Sequence, residues 1–168
     1  MQFRIATPAD VSTVARVLSA AAEQLTDNGL RLWSPSEISE ATVAPHVHGR
    51  LYHIGVEGDN AVGVFRLETS DPLFWPEIAS GTSAFLHKVA VHPEKQGNGL
   101  SHQLLLHAVE LSRQRGLGVL RLDCMGGRPK LRSVYERFGF RHHSQIVLNG
   151  QRYDRFEIDV EANDSIGT

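Results

Sequence analysis

Apolar and polar residues change their spacing several times along the chain. Val11, Val14, Val17 and Leu18 recur three or four positions apart and so fall on one face of a helix. Thr7-Pro8-Ala9-Asp10 precedes them. A capping threonine, a proline in the first turn and an acid at the positive dipole end mark a helix start. Gln2 to Ala6 reads as a short strand ahead of it. After Asp27-Asn28-Gly29, Ser34 and Glu37 have the spacing of a capping box, which predicts a second helix starting there. Leu51 to Val56 and Ala61 to Thr69 flank Gly58-Asp59-Asn60 and predict a hairpin. Ser70 to Gly81 reads as a loop carrying Asp71, Phe74, Trp75 and Glu77.

The second half repeats the alternation of periods. Ala84 to Val91 is a strand, and Ser101 to Arg115 a helix with Leu104, Leu105, Ala108 and Leu111 turned inward and Gly116 as its stop. Val119 to Cys124 is a strand, and Pro129 to Phe138 a helix ended by Gly139. Two last strands, near Arg141 to Leu148 and Gln151 to Asp159, are joined by Asn149-Gly150, a strong two-residue hairpin signal. Such an order gives a mixed α/β fold. Its strand-helix-strand unit favours a parallel pair with a right-handed crossover.

Composition narrows the function classes. The 168 residues suit one domain, expected over 1–160 with a polar tail at 161–168. Lys+Arg 17 against Asp+Glu 19 leaves a net charge of -2, without the basic excess of a general nucleic-acid binder. The single cysteine permits neither an intrachain disulfide nor a cysteine zinc cluster, and points to a reducing, cytoplasmic setting. No apolar run approaches the roughly 20 residues of a membrane helix, and Met1 to Ile5 carries no apolar signal region.

Gln96-Gly97-Asn98-Gly99-Leu100-Ser101 stands between a strand and a helix. Two glycines there weaken the helix start, yet they let an anion approach free N–H groups at the positive end of the dipole. A dinucleotide fingerprint wants a third glycine where His102 stands, although Asp123 has the position of its acidic residue. An ATP-type phosphate loop wants a lysine after Gly99, which has none. A pyrophosphate held by backbone amides remains, against a plain tight turn.

These residues resemble the GNAT superfamily of acetyltransferases, whose cofactor motif is Arg/Gln-x-x-Gly-x-Gly/Ala. Gln96, Gly99 and Ser101 fill it, after "VAVHPEK" (Val89 to Lys95), with serine for the usual glycine or alanine. "VYERFGF" (Val134 to Phe140) resembles the second signature, "LYEKxGF". The resemblance implies a mostly antiparallel sheet flanked by helices, with a central, splayed parallel strand pair. It implies acetyl-CoA as co-substrate and no metal. Pantetheine would run along Val89, Ala90 and Val91, and pyrophosphate would rest on Gln96, Gly97, Asn98, Gly99, Leu100 and Ser101. Where many members carry an asparagine, this chain has Arg128, a candidate for a cofactor phosphate, an acidic acceptor or a carboxylated acyl chain.

Acetyl transfer to an amine sets the remaining demands. An alkylamine has a pKa of about 10.4, so freeing it at pH 7 costs roughly 4–5 kcal/mol. Tyr135, protonated at neutral pH, is the acid candidate for the departing thiolate. "LHKVAVH" (Leu86 to His92) resembles a strand of arylalkylamine N-acetyltransferases whose histidine, here His87, helps deprotonate the amine. Strand alternation places His87, Val89 and Val91 on one face. Glu77 and Asp71 are rival bases. Cys124 reads as a buried small hydrophobe, His46, His48, His142 and His143 as surface residues, and Trp33, Phe74 and Trp75 as pocket, core or lid. The expected function is transfer of acetyl from acetyl-CoA to a small amine, amino acid, peptide terminus or protein lysine. Its rivals are transfer of another acyl group, such as succinyl, and non-catalytic acyl-CoA binding. No nucleic-acid or membrane partner is expected, and the late hairpin offers an edge for a homodimer.

Overall fold

The computed structural model describes residues 1–161; the expected tail therefore lies, except for Glu161, outside the described residues. Strands β1 (Gln2–Ile5), β2 (Tyr52–Glu57), β3 (Asn60–Glu68), β4 (Ala84–Val91), β5 (Val119–Met125), β6 (Arg141–Leu148) and β7 (Gln151–Asp159) form one sheet. Their order is β1-β2-β3-β4-β5-β7-β6. The helices are α1 (Val11–Asp27), α2 (Glu40–His48), α3 (Leu100–Gln114) and α4 (Pro129–Phe138). The sheet is antiparallel at β1–β2, β2–β3, β5–β7 and β6–β7. The parallel β4–β5 ladder joins Ala84–Leu86 to Leu120–Leu122, and both strands run on past it, to Val91 and Met125.

The chain forms two compact units: Met1–Leu67 with Lys88–Leu104, and Glu68–His87 with the chain from Leu105 onward. In the first, the apolar face of α1 meets the sheet: Val14, Val17 and Leu18 are fully buried with Val43, Val47, Ile54 and Val64. Burying each such side chain contributes about 1.5–3 kcal/mol. Arg4 donates to both Asp10 oxygens at 2.7 Å, and the Thr7 N–H and hydroxyl also donate to Asp10, at 2.7 and 2.8 Å. The turn ahead of α1 is thereby tied to β1.

The box at Ser34 and Glu37 does not open an α-helix. It closes a 3-10 turn over Pro35–Glu37, and α2 starts at Glu40 behind its own cap, Ser39. The Glu37 carboxylate already takes the Ser34 N–H and hydroxyl at 2.7 and 2.8 Å. Ile38 then turns out of helical geometry, φ -125° and ψ 10°, and is buried.

In the second unit, β5 alternates strictly: Leu120, Leu122 and Cys124 are buried on one face, and Arg121 and Asp123 are on the other. The register carries Arg121 beside Phe85 and Glu157, Asp123 beside Arg155, and Leu122 beside Phe156. α4 ends at Gly139 as expected, with φ 119° and its N–H on the carbonyls of Tyr135 and Glu136. Asn149 and Gly150 take φ 50° and 77°, the pair of positive values that the two-residue hairpin turn needs. On α3, Leu111 is only partly buried while Ser112 is fully buried, its hydroxyl bound to the Ala108 carbonyl at 2.8 Å.

Candidate functional site

The glycine turn lies in the first unit. Pro93–Lys95 makes a 3-10 turn, Gln96 is extended, and α3 begins at Leu100. Gly97 and Gly99 have φ 82° and 70°, and a Cβ on either would meet nothing within 4 Å. Glycine is therefore needed for backbone conformation and not for lack of room. The Gly99 carbonyl accepts the first bond of α3, from the Gln103 N–H at 3.2 Å, and first-turn N–H groups have no partner inside their own helix. Gln96 Nε2 donates to the Val91 carbonyl at 3.4 Å and Asn98 Nδ2 to the Lys95 carbonyl at 3.4 Å. The turn is thus fastened to the end of β4. Ala90 packs into the core of this unit, so its side chain is structural.

The expected alternation along β4 does not run through Lys88. Its φ is 52°, in the left-handed region that non-glycine residues seldom adopt. The extended pleat ends at His87 and resumes at Val89. Lys88 Nζ lies 4.8 Å from the Trp33 ring centroid and 3.9 Å from Glu37 Oε1, so Trp33 packs on a cation.

His87 closes the second unit's share of β4, and three carboxylates approach its ring. Nε2 lies 3.4 Å from Asp71 Oδ2 and 3.6 Å from Glu68 Oε2; Nδ1 lies 4.0 Å from Asp123 Oδ1. Glu68 ends β3, Asp71 comes from the following loop and Asp123 from β5. All three side chains and the imidazole are largely buried. One donor atom each from Asp71, His87 and Asp123 lies within 4.8 Å of the other two. That spacing suits a shared proton, and a divalent cation fits it as well. Asp71 is thus a companion of His87, while Glu77 pairs with Arg155 at 2.8 Å.

Tyr135 reaches the opposite face of this sheet. Its ring packs against Phe156 and Phe140, centroids 6.0 and 5.9 Å away, and Phe156 shares the Leu122 face. Burial, then the neighbouring Cys124 and Asp123, push its phenol well above the ordinary tyrosine value. Burial, aided by Asp154 and Asp123, pushes the Cys124 thiol up to about 12, so it is no nucleophile at neutral pH. Arg128 stands at the N-cap of α4 without capping it. Its Nη2 lies 3.6 Å from Met125 Sδ.

The sequence singled out His87, Tyr135 and Asp71 but not Glu68, and it weighed Asp123 only as a dinucleotide ligand. The available signal was an acid on the polar face of β5, two residues after Arg121, which alternation exposes once His87 is placed on β4.

The model of the Acetyltransferase (GNAT) family matches residues 16–140. The chain belongs to that family. It is 25% identical to the uncharacterized N-acetyltransferase YesJ of Bacillus subtilis (strain 168), across 91% of this chain and 87% of that one. Among solved structures it resembles a GNAT-family acetyltransferase of Listeria monocytogenes 4b F2365, with TM-score 0.76, 20% identity and 94% of each chain covered. It also resembles yncA of Salmonella typhimurium, determined with its cofactor acetyl-CoA, with TM-score 0.72, 17% identity and 95% and 94% of the two chains covered. The seven-stranded sheet, mostly antiparallel with its β4–β5 parallel pair and flanking helices, is this family's fold. Family membership implies an amine acceptor in general. Among the described residues no helix is long and apolar enough to cross a membrane.

Proposed function

We propose that this family member is an enzyme that transfers the acetyl group of acetyl-CoA to a primary amine by direct attack. The observation that carries the reading is His87 among Glu68, Asp71 and Asp123, in a family whose reaction needs an amine freed of its proton. A cationic ammonium is drawn to the carboxylates. The imidazole takes its proton, and the same carboxylates stabilise the imidazolium that results. The relative solved with acetyl-CoA supports acetyl-CoA as donor. The amides from Gln96 to Ser101 would hold its pyrophosphate, and the Val89 and Val91 backbone its pantetheine arm. Arg128 is proposed to supplement the phosphate contacts. When bound, the cofactor supplies an activated thioester. Tyr135, held neutral by its surroundings, can only donate a proton, as the departing thiolate requires. That thiolate has a conjugate-acid pKa near 8.5 and needs less help than the amine.

Thiol release from acetyl-CoA in the presence of an amine panel tests the proposal, with calorimetry of coenzyme A binding beside it. Release that depends on one class of amine is the expected result. Tight binding of coenzyme A without release from any amine would leave a binding module instead. Full turnover by Tyr135→Phe at every pH would remove the acid assignment.

A further inference from the structure

The segment between β3 and β4 has neither helix nor strand, yet one arginine of β7 fastens it at three places. Arg155 Nη1 donates to the Phe74 carbonyl at 2.8 Å and pairs with Glu77 Oε1 at 2.8 Å. Its guanidinium carbon lies 4.5 Å from the Trp75 ring centroid. Its Nε donates to Ser144 Oγ at 2.8 Å, which fixes the fork against β6. Trp75 is fully buried, with Arg121 also over its ring at 4.9 Å and His143 edge-on at 5.1 Å. Arg121 in turn donates to Ser83 Oγ at 3.2 Å, at the far end of the segment.

These contacts continue to the base. The Phe74 N–H donates to Asp71 Oδ1 at 3.0 Å, and the Trp75 N–H to the Asp71 carbonyl at 2.9 Å. The second carboxylate oxygen, Oδ2, is the one 3.4 Å from His87 Nε2. An unbroken path of polar contacts therefore runs from Arg155 through Phe74 to Asp71 and the imidazole. We propose that Arg155 is a positioning residue for acetyl transfer: by fastening the loop at Phe74, Trp75 and Glu77 it holds the Asp71 carboxylate against His87. This rests on the reading of His87 as the base. Only a guanidinium can do it, because one planar fork must serve a carbonyl, a carboxylate, a hydroxyl and an aromatic face at once, and an ammonium cannot.

The test compares Arg155→Lys, Asp71→Asn and their double variant in the full chain. Two readouts are used: amide hydrogen exchange over 70–83, and kinetics with an amine that the wild type acetylates. Arg155→Lys is expected to speed exchange at Phe74 and Trp75 about tenfold or more. It should lower kcat about ten- to hundredfold while the KM for acetyl-CoA stays within about twofold. Added to Asp71→Asn, it should lower kcat by less than about threefold further. Millimolar guanidinium should restore part of the turnover of Arg155→Ala. Unchanged exchange, faster exchange with unchanged kcat, or fully additive losses would each overturn the proposal. Should Arg155→Lys lose its cooperative melt, Glu77→Gln removes one anchor from an exposed side chain, and faster exchange at residues 74–77 is expected of it; unchanged exchange overturns the clamp. A wild type that acetylates no amine refutes the transfer reading by itself, a result separable from the exchange data.

Discussion

At the scale of single residues, the two groups proposed to handle protons lie in different environments. His87 lies among acids and Tyr135 among aromatic rings, on opposite faces of the second unit's sheet. His87→Gln should lower kcat/KM about 10²–10⁴-fold, and Tyr135→Phe only about tenfold, because the thiolate leaves more readily than the amine loses its proton. Steady-state kinetics on purified variants checks both. Asp10 carries a pH prediction for stability. Its bidentate contact with Arg4, then the bonds from Thr7, hold its carboxyl well below the ordinary value. A depressed folded-state pKa stabilises above the unfolded value of about 3.9, and that stabilisation is lost as pH falls through the lower, folded value. Asp10→Asn should therefore lower the urea midpoint clearly at pH 7, and the gap to wild type should narrow below about pH 4.

Elements show where local sequence decides and where it does not. Strand and helix boundaries followed periodicity closely: α4 starts at Pro129 and ends before Gly139, and Asn149-Gly150 turns the last hairpin, because each signal acts through its own backbone. Ser34 and Glu37 misled, since a capping pair specifies a turn and not the length of helix behind it. Lys88 misled in another way: alternation assumes extended backbone, and nothing in "LHKVAV" announces a positive φ. The base candidate was legible from the motif, but its three carboxylates come from β3, a loop and β5, and only pairing register brings them together. The glycine turn offers a test on this scale. Gly97→Ala forces a methyl into a left-handed conformation, which costs about 1–2 kcal/mol. It should weaken coenzyme A binding with little change in the amine KM, as calorimetry and kinetics would show.

For the molecule as a whole, composition bounded the class: a nearly neutral chain with one cysteine and, among the described residues, no helix long and apolar enough to cross a bilayer. The family followed from two short motifs in the right order, and the match over residues 16–140 bears that out. The acceptor was not legible, because the acids around His87 lie far apart in sequence, Glu68 and Asp71 on one side and Asp123 on the other, and meet only in the folded chain. If the buried acids serve a proton and not a cation, exhaustive EDTA treatment should leave turnover unchanged and added zinc should inhibit; an EDTA-sensitive rate restored by metal would reverse that reading. The lone sulfhydryl has a practical bearing. With Cys124 buried and its thiol pushed up to about 12, the native protein should be silent toward Ellman's reagent at pH 8. Every yellow thionitrobenzoate anion released in a continuous assay would then report one molecule of coenzyme A, so turnover can be counted without correcting for the catalyst.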